Sequence, residues 1–254
     1  MTTVWREFAE ELQRWGDLGR TVDFWWRDDD AACRTAALER LVGLACRSGV
    51  PLALAVIPRD ARADLLGGDA GRVTVLQHGV AHRNSGAPGE KKSEFPAGES
   101  VDAALARLQW GRHQLHGFYG ARCLPVLVPP WNRISHPGLV VRLADAGYRG
   151  LSRFGPRARA DQPLRLAQVN THVDVIDWRG QRGFVGHDVA LRQAVGHLQA
   201  RRSGVADPSE ATGWLTHHAV HDEATWEFLQ QLLERTASTR HVVWRGATEL
   251  FAPP

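Results

Sequence analysis

The sequence predicts an α/β fold: a TIM-like (β/α) barrel, imperfect, with about seven parallel strands. Three observations carry this. Strand-like and helix-like segments alternate along nearly the whole chain, as they do in parallel sheets built from crossover units. The strong strand segments are apolar throughout instead of alternating, the pattern of strands buried on both faces. Polar clusters follow the strand segments, and in a parallel barrel all strand C-termini open on one face, where the site lies. A doubly wound open sheet is the rival. Its dinucleotide-binding form is disfavoured, because no Gly-x-Gly-x-x-Gly follows the first strand.

The elements follow in order. Residues 4–15 place Val4, Phe8, Leu12 and Trp15 on one side of a short helix. From Val22 to Trp26 four of five residues are apolar, three of them aromatic, a buried strand that ends in Asp28, Asp29 and Asp30. Thr35 caps a helix carrying Leu38, Leu41, Val42 and Ala45. Val50–Ile57, stopped by Pro58, and Val73–Gln77 read as buried strands. Residues 83–98, rich in Gly, Pro, Lys, Glu and Ser, read as a loop of a length that is often functional. Helix 101–118, strand 123–128, helix 136–146, short strand 150–152 and strand 171–176 come next. Helix 188–200, strand 213–216, helix 223–236 and strand 241–244 complete the chain. One domain over 1–254 is expected, with no internal repeat and no linker.

Composition narrows the function classes. A net charge of +3, with Arg spread along the chain, gives no basic patch and argues against a nucleic-acid partner. Three scattered cysteines, Cys33, Cys46 and Cys123, make no disulfide framework and read as reduced thiols. The N-terminus lacks the features of a signal peptide and no apolar run spans a bilayer, so a cytoplasmic protein is expected. The oligomeric state is not encoded in any pattern found here.

Five clusters carry chemistry. Three adjacent carboxylates at a strand end repel one another, which a metal or a neighbouring cation relieves; a solvated acidic turn is the plain alternative. His78 and His82 are four residues apart, a spacing that brings two imidazoles to one side, and Gly79 lets the chain bend between them. With a carboxylate they make a three-ligand catalytic set. In Val128-Pro-Pro-Trp131 two prolines stiffen the turn and leave the Trp131 N–H to stabilise an oxyanion, unless Trp131 merely plugs the core. Asp174-Val-Ile-Asp177-Trp178 sets acids beside an aromatic. In Leu215-Thr-His217-His218-Ala-Val-His221-Asp222 a histidine can serve as general acid, while Asp222 also suits a helix N-cap.

The ordered set Asp-Asp, His-x3-His, Pro-Pro-aromatic, Asp-x2-Asp-Trp and Leu-x-His resembles the polysaccharide deacetylases, carbohydrate esterase family 4 or NodB-homology family, over residues 29–217. The resemblance implies a deformed (β/α) barrel that hydrolyses the acetamide of an N-acetylated sugar with one divalent metal, Zn2+, Co2+ or Mn2+. It implies Asp30, His78 and His82 as metal ligands and Asp29 as the base. It further implies the Trp131 N–H at the oxyanion, His217 as the acid and Asp177 as its tuner. Arg27, Asn84, Lys91, Lys92, Pro130 and Trp178 are the candidates for substrate contact. The two lysines of the loop suit an anionic, sugar-bearing substrate.

The chain departs from the family pattern in two places. Gly79 stands where Ser or Thr is usual, and Val128 stands where an Arg orients the base. Arg27 or Arg133 could supply that charge. Asp28 and Asp29 could be the working pair in place of Asp29 and Asp30, and His218 or His221 could replace His217. Three other readings are a metal-dependent amidohydrolase on a non-sugar C–N bond, a non-haem iron oxygenase and an inactive carbohydrate-binding barrel.

Overall fold

The computed structural model describes residues 3–67, 71–157 and 165–252. One sheet contains β1 (Val22–Ala31), β2 (Leu52–Val56), β3 (Val73–His78), β4 (Cys123–Val128), β5 (Gly150–Leu151), β6 (Ala167–Gln168), β7 (Val173–Asp174), β8 (Thr212–Thr216) and β9 (Val242–Trp244). The order is β6-β5-β4-β3-β2-β1-β8-β7, with β9 paired to the first part of β1. Every pairing of these strands is parallel. This is the deformed barrel expected from the alternation. Its path ends at β6 and β7, and an isolated parallel bridge between Phe154 and Thr171 continues the β5–β6 pairing in the same register.

The pleat of β1 sorts its side chains into two sets, because successive residues point to opposite faces. Val22, Phe24 and Trp26 join the core between sheet and helices, with α1 (Thr3–Asp17), α2 (Ala36–Ser48), α5 (His187–Ser203) and α6 (Glu223–Thr236). Trp25 points the other way, into the barrel, beside Ala53 and Ala55 of β2, Leu76, Val126, Val128 and Phe251. The alanines of β2 leave room for the indole and for Phe251, which meets it edge-on at 6.1 Å.

Local sequence fixes the helix ends. The Thr35 hydroxyl accepts from Leu38 N, and Gly49 closes α2 in the left-handed region at φ 69°. Asp222 caps α6 by accepting from Thr225 N. The remaining helices are α3 (Val101–Tyr119), α4 (Leu139–Arg142) and α7 (Ala247–Leu250). Among the described residues no helix is long and apolar enough to cross a membrane.

Three local expectations change. The helix expected over 136–146 shrinks to α4 and turns, since Pro137 and Gly138 delay its start. The strand expected over 171–176 is regular only at Val173–Asp174, with isolated bridges at Thr171 and Ile176, and β6 was not foreseen. Strands of two residues carry no period that a sequence can display.

Candidate metal centre

The two-residue period of β1 separates the three aspartates. Arg27 and Asp29 fall on the barrel side with Trp25, and Asp28 falls on the outer side with Trp26. Asp28 is fully buried there. It accepts from Thr216 Oγ1 at 2.6 Å, from His218 N at 2.9 Å and pairs with His218 Nδ1 at 2.5 Å. Burial works against its charge, but His218 outweighs burial and holds Asp28 below the usual carboxylate range. Both its oxygens are thus engaged away from the barrel mouth, which leaves Asp29 and Asp30 as the aspartates that face it.

Asp30 breaks the strand rule. Its φ is +69°, and the register with β2 shifts between Asp28 and Ala31. This bulge re-aims the side chain, so Asp30 Oδ1 lies 3.0 Å from His78 Nε2 and 3.3 Å from His82 Nε2. His78 ends β3, and His82 sits four residues on at φ +51°. Four of the five non-glycine residues with positive φ among the described residues are Asp30, His82, Trp131 and Asn132. Strain of this kind collects at functional sites.

The donor chemistry of the trio fits a divalent cation. His78 Nδ1 lies 3.0 Å from the Val128 carbonyl, an acceptor, so Nδ1 carries the proton. A neutral His78 then turns the Nε2 lone pair toward the lone pairs of Asp30. Two lone pairs at 3.0 Å repel unless a cation or a proton lies between them, and a second-sphere carbonyl on Nδ1 is the usual partner of a metal-ligating histidine. The unliganded electrostatics agree. Burial would raise Asp30, but the hydrogen bond and charge of His78, with the charges of His217 and His82, hold it well below the usual range. Burial would lower His78, but Asp30 and Asp29 raise it. Burial and the neighbouring His78 lower His82.

Asp29 is clamped. Arg27 donates to both its oxygens, Nε to Oδ1 at 2.8 Å and Nη2 to Oδ2 at 2.9 Å. The remaining guanidinium N–H groups go to Ser152 Oγ at 2.6 Å, Asn132 Oδ1 at 2.7 Å and the Arg153 carbonyl at 3.4 Å. All five donors are engaged and the side chain is fully buried, so Arg27 does not contact substrate as expected from sequence; it orients Asp29. Arg133 is directed elsewhere, to the Lys92 carbonyl at 2.9 Å. Asn132 and Ser152 were missed, and no sequence pattern marks them, because their meaning lies in a contact with a strand more than a hundred residues earlier.

On the other side stands His217, immediately after β8, with a buried Nδ1 that has no hydrogen-bond partner. Trp178 meets it edge-on at 4.6 Å. Asp174 lies close enough to His217 to feel its charge. Burial raises Asp174, against the opposing pull of His217 and the hydrogen bonds from Ile176 N and Trp178 Nε1. Asp177 Oδ1 is taken by the N–H groups of Arg179 and Gly180 and shapes a turn. The sequence held the signal: Asp174 ends β7 and so opens on the site face, whereas Asp177 lies three residues beyond. His218 is tied to Asp28, and His221 packs edge-on against Trp226 of α6 at 4.5 Å, where burial, opposed in part by Asp28, pushes it down to about 4.

The loop after His82 folds back under the site. Glu94 is buried and accepts from Val80 N at 3.0 Å and Ala81 N at 2.7 Å. A Cβ at Gly79 would stand 2.1 Å from Glu94 Oε2 and 2.6 Å from Pro130 Cδ, and Gly79 has φ +55°. A Ser or Thr at position 79 would therefore meet a carboxylate that fills that space and holds the His-x3-His turn. Two expected substrate contacts, Pro130 and Asn84, change accordingly. Pro130 is buried against Gly79. Asn84 Oδ1 organises the loop by accepting from Gly86 N and Ser93 N. Phe95 is fully buried and offers no face to a ring. Lys91 and Lys92 are exposed. Lys92 Nζ lies 6.0 Å from the Trp131 ring, which packs on His82 at 4.6 Å. Trp178 keeps an exposed face.

No family model matches the sequence, and no curated protein matches it. Solved structures do. A protein from Mycobacterium smegmatis assigned as a polysaccharide deacetylase matches with a TM-score of 0.62 at 15% identity, over 92% of this chain and 90% of that one. A family 4 acetyl xylan esterase from Clostridium thermocellum, in complex with a cobalt ion, gives 0.52 at 13% identity, over 90% of each. A pseudoenzyme of carbohydrate esterase family 4 from Bacillus anthracis gives 0.53 at 15% identity, over 92% of this chain and 66% of that one. These structural neighbours are a polysaccharide deacetylase and carbohydrate esterase family 4 proteins, and this chain shares their fold. A pseudoenzyme has the same fold, so the fold does not decide for catalysis; the side chains must.

Proposed function

We propose that this chain is a divalent-metal-dependent hydrolase that removes the acetyl group from the N-acetyl amide of a sugar or sugar-containing substrate. The observation that carries the reading is the convergence of Asp30, His78 and His82, with ligand atoms within 4.8 Å of one another, next to an Asp29 gripped by Arg27. A divalent ion held by that trio, Zn2+ with Co2+ or Mn2+ as alternatives, supplies Lewis-acid polarisation of water and of the amide carbonyl.

The chain's own groups do the rest. Asp29 takes the proton of the attacking water, and the two hydrogen bonds from Arg27 fix which way its oxygens point. The Trp131 N–H, in a left-handed turn after Pro129 and Pro130, would donate to the developing oxyanion. His217 delivers a proton to the departing amine, and Asp174 stabilises the charged imidazole. Trp178 and Trp131 flank the site with apolar faces suited to a sugar ring.

Elemental analysis combined with acetate release from N-acetylated oligosaccharides and nucleotide-linked sugars tests this. One metal per chain is expected, with turnover abolished by chelation and restored by Zn2+, Co2+ or Mn2+. Bound metal with cleavage of a non-sugar amide alone would favour the amidohydrolase reading. Bound metal with no cleavage of either would make the chain a sugar-binding barrel.

A further inference from the structure

A second set of two histidines and one carboxylate lies at the opposite end of β8. His172 precedes β7, His197 belongs to α5 and Glu210 precedes β8; all three are buried, with ligand atoms within 4.8 Å. The composition matches the first trio, but the hydrogen bonding is reversed. His78 Nδ1 faces a carbonyl, whereas His172 Nδ1 accepts from the Gly213 N–H at 3.0 Å. A neutral His172 therefore carries its proton on Nε2, which lies 3.3 Å from Glu210 Oε1 without a hydrogen bond to it. A metal on that nitrogen would require an imidazolate.

His197 Nδ1 lies 2.9 Å from Thr212 Oγ1, which also accepts from Arg201 Nη1 at 3.0 Å. Its Nε2 stands 3.7 Å from Glu210 Oε2 without a hydrogen bond. The two rings are stacked, 3.5 Å between centroids and 13° between planes. An ion bound in the plane of one ring cannot lie in the plane of the other.

We infer that His172, His197 and Glu210 form a proton-operated latch, and not a second metal centre: neutral His172 seats on the Gly213 N–H, its ring stacked on His197 beside Glu210, and adding a proton to His172 unseats it. The geometry dictates the opening. His172 can take a second proton only on Nδ1, where the Gly213 N–H already points. Gly213 is wedged, since even a Cβ there would meet Trp25 Nε1 at 2.4 Å and the Asn170 carbonyl at 2.5 Å. The ring must therefore swing out, leaving both the stack and Glu210. Glu210 also accepts from Arg157 N at 3.2 Å, so the latch joins α5, the start of β8 and the segment at Arg157.

The charged groups around the cluster favour the closed, neutral form. Arg201 of α5 shares Thr212 with His197; Asp23 of β1, Arg20, Asp207 and Glu210 act on Arg201 in turn. Burial pushes His172 down to about 4 and lowers His197, against the pull of Glu210. Burial would raise Glu210, but the two histidines bring it down to about 2. A depressed histidine contributes stability above its unfolded value of 6.5, and that contribution is lost as pH falls toward 4. The loss from Glu210 follows below 4.5.

Imidazole 15N spectra of the wild-type protein give a direct test. His172 should show the Nε2–H tautomer and should still be neutral at about pH 5. His172→Asn keeps an acceptor for Gly213 and cannot titrate, so its drop in melting temperature from about pH 7 to pH 5 should be smaller than that of the wild type. Asp30→Ala, which removes a ligand of the first trio, should retain no zinc in native mass spectrometry. An Nδ1–H tautomer at His172 overturns the latch, as does an undiminished pH drop in His172→Asn. So does zinc that persists in Asp30→Ala and disappears when His197→Ala is added. Should His172→Asn fail to fold, the wild-type tautomer decides alone.

Discussion

At the scale of single residues, the guanidinium of Arg27 and the carboxylate of Asp174 make the sharpest tests. Lysine keeps the charge of Arg27 but cannot hold both oxygens of Asp29 or reach Ser152 and Asn132 at once. Arg27→Lys should retain metal and lose on the order of 10²-fold in kcat, with KM little changed; unchanged kcat would remove the clamp from the mechanism. Asp174→Asn should lower kcat by roughly 10-fold or more and alter the pH–rate profile. Asp177→Asn should leave both intact, because Oδ1 can still accept from Arg179 and Gly180. Paired pH–rate profiles check the contrast, and equal effects would return Asp177 to the role expected from sequence. Residue types at the strand ends were readable in the sequence: acids, imidazoles and aromatics stand out there. Their pairings were not, because Asn132 and Ser152 gain meaning only when three distant strands meet.

At the scale of elements, the loop over residues 83–98 divides into an anchored and a free part. Ser93, Glu94 and Phe95 are buried, while Lys91 and Lys92 face solvent. Phe95→Ala should cost roughly 3–5 kcal/mol of stability, read from urea unfolding, a loss that a merely tethered loop would not show. Lys91→Ala with Lys92→Ala should leave stability unchanged within about 0.5 kcal/mol. On an anionic sugar substrate the pair should raise KM while sparing kcat, an effect that added salt should imitate. Unaltered KM without salt dependence would detach the lysines from binding. The loop was visible as an interruption of apolar periodicity. That Glu94 reaches back to fill the space beside Gly79 was not, since sequence shows an absent side chain but not what occupies its place.

At the scale of the whole molecule, metal should act on stability as well as on turnover. A ligand that binds only the folded chain stabilises it by about 3–4 kcal/mol at 100 to 1,000 times its Kd. Chelation should therefore lower the melting temperature of the wild type and leave that of His82→Ala unmoved; a metal-independent melt would argue against the trio. The barrel itself was legible because apolar runs and helical periods repeat through the chain. The seam between β6 and β7 was not, because its strands are too short to leave a trace. The pleat of β1 has a further consequence. Flanked by β2, β8 and β9, this strand cannot rotate to accommodate a change in length. Three identical letters in a row thus hold three different addresses: one outward, one inward and one at the bulge. Deleting any one of them leaves an acidic pair that looks intact on paper but sends each later side chain to the wrong side of the ribbon. Substitution here loses one function at a time, whereas a single deletion loses all of them together, so the count of residues is guarded more strictly than their kind.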